Sequence, residues 1–132
     1  MSHVLNTAEG QTSGTVDTNE KFYKPFGIKY KGLKLLDVSQ TNIAIHFNEV
    51  ADFIDEAITG GGKLSINLNK TPYSLSISGK ILVNCQMGVS RSSAAVLAYL
   101  MLRHKMTAVE ALIEVKLQQR LTKYIKSMCF CF

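Results

Sequence analysis

The segment that most constrains this chain is Cys85-Gln86-Met87-Gly88-Val89-Ser90-Arg91-Ser92, set between an apolar run and a long helical stretch. Ile81-Leu82-Val83 before it reads as a short buried strand. Ser92 to Arg103 after it is apolar nearly all round, as a central buried helix is. A strand–loop–helix turn gathers backbone N–H groups at a helix N-terminus, an arrangement that suits a phosphate dianion. Gly88 lets the backbone pass close to the anion, and the planar fork of Arg91 can hold two phosphate oxygens. A cysteine at the mouth of that positive field has its pKa lowered, and its thiolate faces the bound phosphoryl group as a nucleophile. Ser92 is placed to donate to the sulfur and help it leave in a second step. The ordinary alternatives, a cysteine as a small buried hydrophobe and an arginine as a solvated helix start, each explain one residue but not the combination.

The rest of the chain supplies an α/β setting. Ser2 to Ala8 reads as a strand followed by a Gly-rich polar loop, Glu9 to Asn19. Glu20 to Phe26 predicts one or two helical turns broken at Pro25 and Gly27. Ile28 to Leu35 alternates like a half-buried strand. Ile43, Phe47, Val50, Ile54 and Ala57 share a helix face, and Gly60-Gly61-Gly62 ends that helix. Lys63 to Ser78 alternates in two runs around Asn69-Lys70-Thr71-Pro72 and predicts a β-hairpin. Thr107-Ala108-Val109-Glu110 is a capping box opening a last helix with Ala111, Leu112, Val115 and Leu117 as its apolar members.

Composition adds limits. The chain has 132 residues, 46% hydrophobic and 19% charged, which fits one globular domain rather than a disordered one. Three cysteines argue against a disulfide framework and for a reducing compartment. The first residues have neither the basic nor the apolar region of a signal peptide, and no apolar run is long enough to span a membrane. The expectation is therefore a cytoplasmic protein, with the nucleus as a second compartment and no stable membrane association. A net charge of +5 favours anionic partners without choosing among them. Lys29, Lys31, Lys34 and Lys80 are candidates for drawing acidic phosphopeptides, or simply a solvated face. Basic and aromatic residues are not interleaved as base-stacking surfaces require, so nucleic acid is not an expected partner.

From Ile81 through Met101 the chain closely resembles the signature of the dual-specificity protein phosphatases, within the cysteine-dependent protein tyrosine phosphatase superfamily. His3 to Gly10, Phe22-Tyr23-Lys24, Ile28-Lys29-Tyr30 and Asp52-Phe53-Ile54-Asp55 extend the likeness over about residues 2–62 and 79–120. The resemblance implies a protein tyrosine phosphatase-like α/β domain, a central sheet flanked by helices with a strand–phosphate loop–helix active site. It implies hydrolysis of phosphotyrosine and phosphoserine/threonine in proteins through a cysteinyl phosphate, without metal or cofactor. Phosphorylated proteins are then the partners, with kinases among them. Cys85 is the nucleophile, Arg91 the phosphate clamp and Ser92 the leaving-group assistant, while Gln86, Met87, Gly88, Val89, Ser90 and Arg91 form the cradle. Aligning Gly32-Leu33-Lys34 and Asn42 with the family puts Asp37 on the position of the general acid, with Asp17, Asp52 and Asp55 as rivals. The alternative is a phosphoprotein-binding pseudophosphatase or truncated isoform. A partial fold that does nothing is a third reading.

Four departures from the family accompany this. Asn84 stands where the family usually has His, which removes a positive charge beside the cysteine. Residues 63–78 look like an insertion, either a recognition hairpin or sequence from an unusual splice form. Family members typically have a further strand and helix before the segment resembling His3–Gly10, which predicts an unpaired sheet edge. After Arg120 the family's turn and last helix give way to a divergent tail, residues 121–132, so the expected organisation is a phosphatase domain over residues 1–120 and that tail. Cys129-Phe130-Cys131-Phe132 has the length of a prenylation box without its aliphatic middle residues, and reads as a frayed apolar end. His3, His46 and His104 are too scattered to complete a metal site with it.

Overall fold

A computed structural model describes residues 1–59, 81–122 and 129–131. The expected turn at Gly60–Gly62, the expected hairpin over 63–78 and Lys80 lie outside the described residues. Strand β1 (His3–Asn6) is followed by a one-turn helix α1 (Glu20–Tyr23) capped by the Asn19 side chain. A 3-10 turn over Lys24–Phe26 closes on Gly27, whose φ of 65° is left-handed, so the break expected at Pro25 and Gly27 is where the chain turns. Strand β2 (Lys29–Gly32), a 3-10 turn (Ile43–His46) and helix α2 (Phe47–Thr59) come next. The expected helix face begins in that 3-10 turn, and α2 proper starts at Phe47. Strand β3 (Ile81–Asn84), helix α3 (Arg91–Arg103), helix α4 (Ala108–Thr122) and strand β4 (Cys129–Cys131) complete the order.

The sheet runs β2-β1-β3-β4. β1 is parallel to both β2 and β3, with Val4 opposite Tyr30 and Leu82. β4 is antiparallel to β3, with Asn84 opposite Cys129. This corrects the expectation of a frayed end: three residues of the tail extend the sheet beside the strand that leads to Cys85. The pairing gives β3 ladder partners on both sides, which holds the strand before the loop in place.

β1 and β3 are apolar on successive residues because parallel strands are covered on both faces. Val4, Leu5, Ile81 and Val83 are fully buried. Helix α2 presents Val50, Ile54, Ala57 and Ile58 to the same core, and α3 contributes Ala95, Val96, Tyr99 and Leu100. From α4, Ala111 and Val115 are buried while Leu112 and Leu117 are exposed, so its inward face is narrower than the sequence suggested. Thr107 and Glu110 form the expected capping box: the Glu110 carboxylate accepts from the Thr107 amide at 2.8 Å, and Thr107 Oγ1 accepts from the Glu110 amide at 3.3 Å.

Candidate active site

The site begins where β3 ends. The ladder stops at Asn84, whose carbonyl accepts from both the amide and the hydroxyl of Thr7 at 2.8 and 2.9 Å. Cys85 follows, buried, and the loop 86–90 carries the chain over to α3. Gly88 has a φ of 66°, which a side chain would strain, and its amide donates to Cys85 Sγ at 3.1 Å. From the first turn of α3, Ser92 Oγ lies 3.2 Å from the same sulfur.

These contacts set the thiol's acidity. Burial pushes the Cys85 pKa up, but the hydroxyl and amide of Ser92, the amide of Gly88 and the Arg91 charge outweigh it, so the net shift is downward. Asn84 contributes no charge, and its side-chain oxygen is buried without a hydrogen-bond partner. The donors that lower the pKa therefore come from the loop and the helix start rather than from the residue before the cysteine.

Arg91 is buried at the start of α3 and is held from two sides. Its Nη1 donates to the Leu35 carbonyl at 2.8 Å, and its Nη2 donates to the Gly14 carbonyl at 2.9 Å. The Asp37 carboxylate stands 3.6 Å from Nη2, with its side chain half exposed. Arg91 Nε is buried with no hydrogen-bond partner. A buried, unpartnered N–H on a guanidinium is costly unless an acceptor completes it, and an anion in the loop is the natural acceptor.

The structure thus brings Cys85, Ser92, Arg91 and Asp37 together. The rivals of Asp37 lie elsewhere: Asp17 is exposed and accepts from Gln11 at 3.4 Å, Asp52 is ion-paired with Arg103, and Asp55 sits on α2. Around the loop, Gln86, Met87, Val89 and Ser90 are exposed while Gly88 is buried. Of the lysines considered as anion attractors, Lys29 is paired with Glu56 at 2.5 Å and Lys31 with Glu49 at 2.8 Å, so both face carboxylates of α2 instead. Lys34 is exposed. Among the described residues no cluster of His, Cys, Asp and Glu could hold a metal ion.

Sequence reasoning missed the two carbonyls that hold Arg91 and the group behind one of them. Gly14 sits in the loop between Glu9 and Asn19, which the Tyr30 hydroxyl anchors by contacts to the Thr18 carbonyl at 2.6 Å and the Glu9 carboxylate at 2.9 Å. Asn6 Nδ2 donates to the Val16 carbonyl at 3.1 Å and to the Tyr30 oxygen at 3.2 Å. A Cβ on Gly32 would meet the Glu9 carboxylate, so a larger residue there would push aside the side chain that accepts from Tyr30. The one local signal was a glycine in a polar loop, which does not say which carbonyl faces an arginine far along the chain.

Residues 74–131 match the family described as dual specificity phosphatase, catalytic domain. Proteins named dual specificity protein phosphatase 26 from Homo sapiens and Pongo abelii are each 40% identical to the chain over 116 residues, 88% of this chain and 46% of theirs. The Rattus norvegicus protein of that name is 39% identical over the same share. The chain therefore spans about half the length of these curated relatives. Among solved structures, the phosphatase domain of Yvh1 from Chaetomium thermophilum is similar, with a TM-score of 0.59 and 25% identity over 88% of this chain and 66% of that one.

Proposed function

We propose that this chain, which belongs to the dual-specificity phosphatase family, hydrolyses phosphotyrosine and phosphoserine/threonine in proteins. The observation that carries this is the convergence on one loop of a buried cysteine with a lowered pKa and a buried arginine whose Nε lacks a partner. In the first step the Cys85 thiolate attacks phosphorus. The S–P bond forms, the P–O bond to the substrate breaks, and Asp37 gives its proton to the departing oxygen. In the second step water attacks phosphorus, Asp37 takes a proton from it, and the P–S bond breaks to release inorganic phosphate and the thiolate. Ser92 Oγ, 3.2 Å from the sulfur, donates to the thiolate as it leaves. Arg91 and the loop amides hold the phosphoryl oxygens through both steps, so they act where charge spreads in the transition state. No observation of its own favours the pseudophosphatase alternative.

Steady-state hydrolysis of a small aryl phosphate by the whole chain tests the proposal. Cys85→Ser is expected to abolish turnover. Asp37→Asn is expected to lower it by about 10²–10⁴-fold on a phosphoserine peptide, whose alkoxide leaves poorly, and by less on the aryl phosphate. Equal rates for the wild type and Cys85→Ser would overturn it.

A further inference from the structure

Thr7 follows β1 directly and is fully buried where the parallel ladder to β3 closes. Its amide donates to the Asn84 carbonyl at 2.8 Å, a bond of the kind the ladder itself supplies. Its hydroxyl donates to the same oxygen at 2.9 Å, and a ladder does not require that second bond. A valine has the same branched shape and would extend the strand without it. The oxygen belongs to the Asn84–Cys85 peptide, a plane that also carries the nitrogen and Cα of Cys85. Amide and hydroxyl reach the oxygen from two points of one residue, so they limit the plane's rotation as well as its position. Rotating the plane swings the Cys85 Cβ and the sulfur with it. The Gly88 amide at 3.1 Å and Ser92 Oγ at 3.2 Å meet that sulfur from the loop and from α3. Both favour the thiolate, and they do so only while the sulfur stays within hydrogen-bond reach. The preceding residue serves the other half of the site: the Asn6 side chain donates to the Val16 carbonyl at 3.1 Å, in the loop whose Gly14 carbonyl holds Arg91.

We propose that Thr7 is a positioning residue for the nucleophile: its hydroxyl fixes the Asn84–Cys85 peptide so that the sulfur stays aligned with its donors on Gly88 and Ser92. The inference rests on the phosphatase reading above and adds a residue to that site. The Asn84 side chain gives the peptide no anchor through its Oδ1, which is buried without a partner. Arg91 is the charge that acts on the sulfur, and the Asp37 carboxylate stands 3.6 Å from that arginine. Both charges remain when Thr7 loses only its hydroxyl.

Thr7→Val, Thr7→Ser and Thr7→Ala in the whole chain test this beside the wild type. Valine keeps the branched shape and drops the hydroxyl, serine keeps the hydroxyl and drops the methyl, and alanine drops both. Iodoacetamide alkylation is followed against pH, with modification read at Cys85 by peptide mass spectrometry. Thr7→Val and Thr7→Ala are expected to move the midpoint up by about 0.5–1 pH unit, and Thr7→Ser to stay within about 0.2 of the wild type. On the small aryl phosphate, Thr7→Val is expected to lower kcat/KM about three- to tenfold and Thr7→Ser to keep most of it. A hydroxyl that only supports the fold would lower the melting temperature of Thr7→Val and Thr7→Ala and leave the Cys85 profile in place, and that result overturns the proposal. A profile that moves as far in Thr7→Ser as in Thr7→Ala overturns it too, because the methyl is then the cause. If Thr7→Val does not fold, Thr7→Ser against Thr7→Ala, which differ by the hydroxyl alone, decides on the same measurement. Alkylation needs no turnover, so it judges Thr7 independently. A wild type that hydrolyses no aryl phosphate defeats the phosphatase reading, while an unmoved profile beside normal hydrolysis defeats the role of Thr7 alone.

Discussion

Arg91 Nη2 donates to the carbonyl oxygen of Gly14 at 2.9 Å, across 77 positions of sequence. That contact makes the loop after β1 part of the phosphate site, although the loop holds none of the groups that touch phosphorus in the proposed chemistry. Gly14 has a φ of 85°, in the left-handed region. The loop around it is fastened by Asn6, Glu9, Thr18 and Tyr30. Burial, first among several influences, pushes the Tyr30 pKa up to about 12, so the hydroxyl stays a neutral donor at any working pH.

Gly14→Ala should therefore weaken the clamp more than the fold. Placing a β-carbon at this φ costs about 1–2 kcal/mol. If that cost is met by turning the carbonyl away, Arg91 loses one of its two fixed supports. The expected result is a rise of about five- to thirtyfold in KM for the aryl phosphate, with kcat changed less. Tyr30→Phe should act in the same direction while also lowering the melting temperature, because Asn6 and Glu9 lose a half-buried partner. Steady-state kinetics beside thermal melts would show it, and an unchanged KM in both variants would refute the link.

The thiol's reactivity carries a second expectation. Burial alone would raise the Cys85 pKa, and donors from Ser92 and Gly88 with the Arg91 charge reverse that, so the thiolate persists to lower pH than in an ordinary cysteine. Iodoacetamide alkylation of the native chain should keep its rate as pH falls through the range where a free thiol, with a pKa near about 8.5, has lost most of its own. Ser92→Ala removes the donor 3.2 Å from the sulfur and should move the profile to higher pH. It should also slow the second chemical step more than the first, visible as a larger burst of released phenol before steady state. Alkylation of Cys85 with the profile of a free thiol would contradict this.

Much of this site was legible because local physics writes it locally. Cys85, Gly88, Arg91 and Ser92 lie within eight consecutive residues between a strand and a helix, so residue type and spacing alone placed them together. Asp37 was reached through family resemblance, since one aspartate in a polar loop has no spacing to interpret. The Gly14 and Leu35 carbonyls were not legible at all, because every residue has a carbonyl and only the tertiary fold chooses one. Strand β4 was misread for a related reason: Cys129–Cys131 is too short to announce a strand, and its pairing with β3 is a long-range contact. Lys29 and Lys31 read as free cations because their partners, Glu56 and Glu49, sit on a helix that the chain reaches only later.

Core packing between α2 and the sheet gives a stability test away from the chemistry. Ile54 is fully buried among residues of the central core. Ile54→Ala removes buried methyl and methylene groups and leaves a cavity, at a cost of about 2–5 kcal/mol. The urea midpoint should fall accordingly, with little change in the m-value if unfolding stays two-state. A shift below about 1 kcal/mol would mean that α2 is not packed on the sheet as described.

His104 predicts how stability depends on pH. The ring is half-buried after α3, with Nε2 2.9 Å from the Tyr99 hydroxyl and the rings edge-to-face at 5.0 Å. Burial lowers the His104 pKa, while Asp55 opposes the shift by favouring the charged ring. Burial, reinforced by Asp55, raises Tyr99 to about 12, with Arg103 acting the other way, so Tyr99 keeps its proton and can donate to the neutral imidazole. In the unfolded chain the histidine takes up its proton near about pH 6.5, and in the native chain only below that. Between the two values the unfolded state binds more protons, so stability falls as pH drops through this window. His3, lowered by burial in the same way, contributes with the same sign. The melting temperature should therefore decrease from neutral toward mildly acidic pH, and His104→Gln should flatten part of that slope while His3 retains the remainder. Carboxylates held below their ordinary range, such as Glu49 beside Lys31 and His46, act only at lower pH. Melts at closely spaced pH values would resolve the two windows, and a slope unchanged by His104→Gln would show that this ring is protonated as easily in the fold as outside it.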